Sequence, residues 1–209
     1  MFLTIPAGFA LWILSDEIIR VLYERGAFHE QNTLIVGSIL AIYGIGLPAF
    51  VLIKALQPGF YAREDTKTPM RFSAIAVATN CATALTLFPY MGAPGIAVAE
   101  ATAGWISTVL LFTTLLRRGH LTWEWALAKR TALLIVASAV MGVAIMYLKH
   151  YWAPSLASGA PLLTKVSTLG LLIAISIVIY FATAFLIGGA DLGMIRRNLN
   201  RKPAPAKDV

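Results

Sequence analysis

The stretch GLPAFVLIKALQPGFYAREDTKTP, residues 46–69, begins as apolar helix and ends as a charged turn. From 46 to 57 the only charge is Lys54. A Pro-Gly pair follows at Pro58 and Gly59, and then Arg63, Glu64, Asp65 and Lys67 crowd together. A charged side chain at the centre of a membrane helix costs roughly 2.5–3.5 kcal/mol on the insertion scale, so a cluster of four belongs in water. The two halves of the stretch therefore read as the end of a membrane span and the polar loop beyond it.

The rest of the chain supports that reading. The 209 residues are 58% hydrophobic and 13% charged, with a mean hydropathy of +0.76. Soluble domains carry about 25% charged residues, and this chain has too little polar surface to coat a globule. Its apolar runs are continuous and close to the ~20 residues that cross a bilayer, which predicts an all-α polytopic membrane helix bundle. A β-barrel would alternate apolar and polar positions instead. Full spans are expected at 33–56, 72–91, 95–116, 131–148 and 166–188. Residues 1–15 read as a partial transmembrane helix whose beginning is missing.

The connectors are legible too. Residues 16–32 predict an outer loop with an interfacial helix, because Ile18, Ile19, Leu22 and Tyr23 share a face. Within it, Asp16–Arg20 and Arg20–Glu24 have the i,i+4 spacing of ion pairs. Residues 117–130 predict an interfacial loop, with Thr122 as a helix N-cap and Trp123 and Trp125 as interface anchors. Residues 189–209 form a basic, Pro-rich tail. The spans at 33–116 and 131–188 thus form a group of three and a group of two.

The net charge is +7. In a soluble protein that balance would raise nucleic acid as a partner; here the basic residues lie between and after the spans, so none is expected. Thirteen of the seventeen Lys and Arg fall on one side of the membrane: Lys54, Arg63, Lys67 and Arg71, then Arg117, Arg118, Lys129 and Arg130, then Arg196, Arg197, Arg201, Lys202 and Lys207. Arg20, Arg25, Lys149 and Lys165 fall on the other. The positive-inside bias puts the charged hinge, the 117–130 loop and the C-terminus in the cytoplasm.

Several intramembrane residues invite a role. Lys54 either snorkels to the cytoplasmic interface or faces an inward-open cavity and meets an anionic headgroup. Pro48, following Gly46 in the same helix, removes a backbone bond and is either a packing kink or a bending point. Glu100 lies about 8 Å past the start of its span at ~1.5 Å per residue. It either reaches back to outer water or forms a cation or proton site. Asn80, with Thr102 and Ser107 at similar depth on the next span, either hydrogen-bonds between helices or offers oxygens to a small cation such as Na⁺. The run AVAEATAG places Ala97/Ala101 and Ala99/Ala103 on close-packing faces. The one cysteine, Cys81, lies within a span and cannot form an intrachain disulfide. His29, His120 and His150 lie in loops, and no hydrolase, nucleotide or metal motif is present. The residues predict a protein that is not an enzyme and needs no cofactor, its work driven by a Na⁺ or H⁺ gradient or by membrane potential.

The segments YERGAF (23–28) and YGIGLPAFVLIKALQPGFYAREDTKTP (43–69) resemble the MurJ/MviN family of lipid II flippases, of the exporter superfamily that includes the MATE type. The resemblance is strong over residues 23–71 and rests on hydropathy and spacing after 95. It implies a fourteen-span protein of two six-helix lobes with two added C-terminal helices. This chain would be part of the second lobe plus those two helices, with the N-terminal lobe missing. It further implies a bacterial cytoplasmic (inner) membrane protein that moves lipid-linked peptidoglycan precursor outward by alternating access, for cell-wall synthesis. Its partners would be lipid II, membrane lipids and that missing lobe. The last two spans would line a groove for the polyprenyl tail. On this reading Lys54, Arg63, Asp65 and Lys67 form a cytoplasmic gate. Arg63 and Lys67 would meet phosphate there, while Glu64 and Asp65 pair with the other lobe. Gly46, Pro48, Pro58 and Gly59 would supply the hinge. The chain departs from the family in one cation site: some members follow an Asn by Asn or Asp four residues on, and here Asn80 is followed by Ala84. Two rivals remain, a polysaccharide or multidrug exporter of the same superfamily and an inert truncated membrane fragment.

Overall fold

The computed structural model describes residues 1–121, 125–157 and 159–188, the side chains of 126 and 127 excepted. The expected cap Thr122, the anchor Trp123 and the basic tail lie outside them. The described residues form helices α1 (Thr4–Tyr23), α2 (Glu30–Leu56), α3 (Pro58–Tyr61), α4 (Lys67–Met91), α5 (Ala93–Arg117), α6 (Trp125–Tyr151), α7 (Ala153–Leu156) and α8 (Leu162–Leu186). Five are long and apolar enough to cross a membrane, α3 continuing the span that α2 begins. The sixth long helix, α1, carries Asp16, Glu17 and Arg20 in its second half. The long helices run up and down in sequence. One end of the bundle therefore gathers the 62–66 turn, the end of α5 and the end of α8; we term it the hinge end.

Two cores hold the bundle. Ile5, Leu14 and Val21 of α1 pack with Leu134, Ala137, Met141 and Ile145 of α6 and with Leu172, Tyr180 and Ala184 of α8. A smaller cluster at the hinge end joins Leu56 and Phe60 to Leu111 and Leu115 of α5. Helix α1 thus packs chiefly on α2 and shares a second core with the two C-terminal helices. Between α1 and α2 the backbones nearly touch: a Cβ added to Gly8 would lie 2.6 Å from the Gly44 carbonyl oxygen. Hydrocarbon offers no hydrophobic drive between helices, so close backbone approach through small residues supplies the attraction. The same logic governs α5, where Ala97, Ala99, Ala101 and Ala103 are all buried. Helix α4 packs along α5 and, apart from Pro69, buries none of its residues.

Three boundaries differ from the sequence expectation. First, α1 runs unbroken across residues 15 and 16, where the sequence predicts a boundary. Two of its charges are paired within the bundle, Glu17 with Lys149 at 2.9 Å, and Arg20 with Glu24 at 3.4 Å and Glu30 at 3.9 Å; the expected Asp16–Arg20 pair is not made. Second, the helix that begins at Glu30 persists through Tyr61, beyond Pro58 and Gly59. Pro58 is the first residue of α3, and Gln57 before it keeps helical dihedrals (φ −54°, ψ −43°), so the chain carries on in the same course. At ~1.5 Å per residue this continuous helix is about 48 Å long and outruns the ~30 Å hydrocarbon core. Third, the helix expected after Thr122 does not stop before the next span: residues 125–130 form the first turns of α6.

Candidate functional site

The hinge end carries the predicted gate. The turn that reverses the chain lies at 62–66, where Glu64 adopts a left-handed φ of 59°. Its geometry comes from Asp65. One carboxylate oxygen accepts the backbone N–H of Thr68 at 3.0 Å, closing the first turn of α4. The other accepts Arg118 Nη1 at 2.6 Å. Arg118 also donates to the Thr68 hydroxyl at 3.1 Å and stands 5.9 Å from the centre of the buried Phe60 ring. One guanidinium therefore ties α3, the turn and α4 to the end of α5. Hydrogen bonding by Thr68, and next by Arg118, holds the Asp65 carboxyl well below the ordinary carboxylate range. A depressed value means that the link is fully present above the unfolded value of ~3.9 and is lost only as pH falls toward the folded one.

The Asp65 carboxylate is thus engaged by Arg118 of its own chain. Arg118 was missed because its partner is 53 residues away. The four expected gate residues are thus unequal. Arg63 donates to the Gly59 carbonyl at 2.9 Å, capping the helix end, and remains exposed. Lys54 and Lys67 are exposed and have no polar partner among the described residues. We expect Arg118→Ala to free the turn and raise labelling of a cysteine at position 67 several-fold. With Arg118 kept, labelling of that cysteine relative to a denatured control at the same pH, which cancels the thiol's own titration, should stay flat from pH 8 to pH 5, since the Asp65 link titrates below that window; a transition inside it would contradict the assignment.

Two of the expected hinge residues, Gly46 and Pro48, face α5 closely. Gly46 is buried, and a Cβ there would meet the Phe50 ring at 3.0 Å and Ala101 at 3.2 Å. Pro48 lies within α2, and side chains of α5 bond to the carbonyls on either side of it. Trp105 Nε1 donates to Ile45 at 3.3 Å and Thr108 to Ala49 at 3.0 Å. A proline opens the local ladder, and neighbouring side chains in membrane bundles re-satisfy the backbone.

Beside this segment, α2, α4 and α5 enclose an open cavity of about 360 Å³. Asn80, Glu100, Ser73 and Ser107 supply its polar lining, against Phe50 and Val77. Tyr43, which the sequence did not flag, donates its hydroxyl to Glu100 Oε2 at 2.6 Å. Of the expected trio Asn80, Thr102 and Glu100, only the first and last come together. Thr102 is turned away because two helical residues are ~200° apart, and its hydroxyl bonds to the Val98 carbonyl at 2.7 Å. The expected hydrogen bond from Asn80 to Thr102 or Ser107 is not made.

At the opposite end lies a polar network that sequence reading did not assemble. Glu24 accepts the Thr33 hydroxyl at 2.8 Å and faces Lys165 at 3.8 Å. Lys149, paired with Glu17, also donates to the Ile13 carbonyl at 3.2 Å. These contacts join α1 to α2, α6 and α8.

Membrane-length helices in up-and-down order, with a charged turn at one end, define a polytopic α-helical membrane protein. Comparison with known proteins narrows this class. The family model "Lipid II flippase MurJ" matches residues 1–167. A probable lipid II flippase MurJ of Rhizobium tropici is 68% identical over all of this chain and 39% of its own length. One of Rhizobium meliloti is 54% identical over 96% of this chain and 38% of its own. A solved structure of a lipid II flippase MurJ in an inward closed conformation superposes with a TM-score of 0.72 at 26% identity, covering 96% of this chain and 37% of that one. The chain belongs to the lipid II flippase MurJ family, and it spans about two fifths of the length of these relatives.

Proposed function

We propose that this chain forms the part of a lipid II flippase that carries the hinge-end gate and the two C-terminal helices. In this reading it helps move lipid-linked peptidoglycan precursor across the bacterial cytoplasmic membrane by alternating access, without making or breaking covalent bonds. The family match over residues 1–167 carries the proposal. The physical chemistry agrees with it. A pyrophosphate headgroup cannot cross hydrocarbon unaided and needs cations to meet it. The hinge end, placed in the cytoplasm by its positive charge, offers Lys54, Arg63 and Lys67 as exposed cations. Of the two carboxylates that would compete with phosphate for them, Asp65 is held by Arg118, and Glu64 is exposed beside Arg63. An ion gradient or the membrane potential would supply the drive.

The test is a chimera in which this chain replaces the matching segment of the Rhizobium tropici relative, expressed in a flippase-depleted strain. Growth rescue supports the proposal; a chimera that inserts in the membrane without rescue opposes it. In the rescuing chimera, combined Lys54→Ala, Arg63→Ala and Lys67→Ala should cut transport by about tenfold or more, the loss of one to two charge-assisted contacts. Unchanged transport would remove these residues from the gate.

A further inference from the structure

Two carboxylates stand seven residues apart at the end of α1 away from the hinge: Glu17 within the helix and Glu24 at its C-cap. Seven residues fall ~20° short of two full turns, so both side chains leave α1 on nearly one face. Each meets a lysine from a different C-terminal helix. Glu17 pairs with Lys149 of α6 at 2.9 Å, and Glu24 faces Lys165 of α8 at 3.8 Å. The two lysines flank the α6–α8 connection, one near the end of α6 and one in the first turn of α8. The second pair is the drier, with side chains 8% and 6% exposed. Its carboxylate is steadied by the rest of the fold: Thr33 of α2 donates its hydroxyl at 2.8 Å, and Arg20 stands 3.4 Å away.

The rest of this contact says little about where the C-terminal helices should sit. They meet the other long helices chiefly through α1. Helix α8 is the most apolar of the five spans, and Lys165 is its sole charged residue. Ser167, Ser176 and Thr183 donate to carbonyls of their own helix. Towards its far end Tyr180 donates to the Phe2 carbonyl. The remaining contacts with α1 are apolar, and lipid tails offer such surface everywhere. A buried ion pair gains little over apolar packing, but a displaced one leaves each charge buried and unpaired, so its value lies in selecting one arrangement. A slide of α8 by one turn, ~5.4 Å, would carry Lys165 off Glu24. We propose that Glu17 and Glu24 form a two-pronged clamp on α1 that docks the α6–α8 pair and fixes its depth in the bundle. The inference is independent of the flippase reading, because it concerns assembly of the chain and not transport.

The test uses the full chain in lipid nanodiscs, with Cys81→Ser and spin labels on Tyr90→Cys and Leu163→Cys, positions 87% and 81% exposed. Double electron–electron resonance reads the distance from the end of α4 to α8, and thermal melting reads stability. Glu24→Lys and Lys165→Glu should each broaden the distance distribution and lower the melting temperature by about 5 °C or more. The two together restore opposite charges, and should return one narrow distance and at least half of the lost temperature. Glu17→Lys with Lys149→Glu should recover in the same way. The crossed pair, Glu17→Lys with Lys165→Glu, sets like charges together at both prongs and should not recover. Where a reversed single variant fails to insert, Glu24→Gln takes its place: a broadened distance supports the clamp and an unchanged one overturns it. Single reversals that keep the wild-type distance, or a crossed pair that recovers as well as the matched ones, would also overturn it.

Discussion

Replacing Lys149 with methionine is expected to destabilise the bundle by about 3 kcal/mol. Glu17 lies in the interior of α1 with its side chain 6% exposed, and Lys149 is its ion-pair partner at 2.9 Å. Its second carboxylate oxygen is buried and has no hydrogen bond among the described residues. Removing the ammonium leaves a buried charge with no ion-pair partner among the described residues. Breaking a fully buried pair costs about 3–5 kcal/mol. Lys149 is 34% exposed, so water softens the loss and the low end of that range applies. Thermal unfolding of the detergent-solubilised chain, followed by circular dichroism, measures it. The companion change Glu17→Gln in the same chain should recover about 1–3 kcal/mol, since the two sites share one interaction. If Lys149→Met melts with wild type, Glu17 is not held as described. Helix α6 would then also lose its polar tie to α1, leaving the shared core of Leu14, Met141 and Ile145 to hold it.

The second large effect is expected at the α1–α2 crossing. Gly8→Leu should cost about 3 kcal/mol or more, at or beyond the top of the usual range for overpacking. A Cβ there would sit 2.6 Å from a backbone oxygen, and one at Gly44 would sit 2.8 Å from the Gly8 oxygen. Neither backbone can yield as a side chain does, so the helices must separate. Separation also costs the close main-chain contact that replaces hydrophobic drive in lipid. Gly59→Ala is the informative contrast. Its nearest neighbours are flexible Leu115 methyls at 3.4 and 3.6 Å, and the helix is continuous through it. Alanine there should stabilise by about 0.5–1 kcal/mol through its helix propensity. A large loss at Gly59 in the same melting experiment would restore it as a flexible joint.

The two predictions sit on features that differ in how they can be known. That this chain is a membrane bundle follows from the lengths of its apolar runs and the scarcity of its charges. Those properties belong to each segment alone, so no partner is needed to read them. The existence of the hinge turn follows equally from four charges after a greasy helix. Even the small-residue face of α5 is legible, because i,i+4 spacing is a local matter. The partner of each charge is not local. Asp65 meets Arg118 across 53 residues, Tyr43 meets Glu100 across 57, and Lys149 donates to Ile13 across 136. Those pairings depend on which helices lie side by side and on their rotation about their own axes. An error of two residues in that rotation turns a side chain by ~200°, as Thr102 against Glu100 shows. Local patterning thus establishes the class of protein and the ends of its spans. Packing in three dimensions selects which charge is spent, which is free and which faces an open cavity, because the energy of a charge depends on its neighbours and not on its position in the chain.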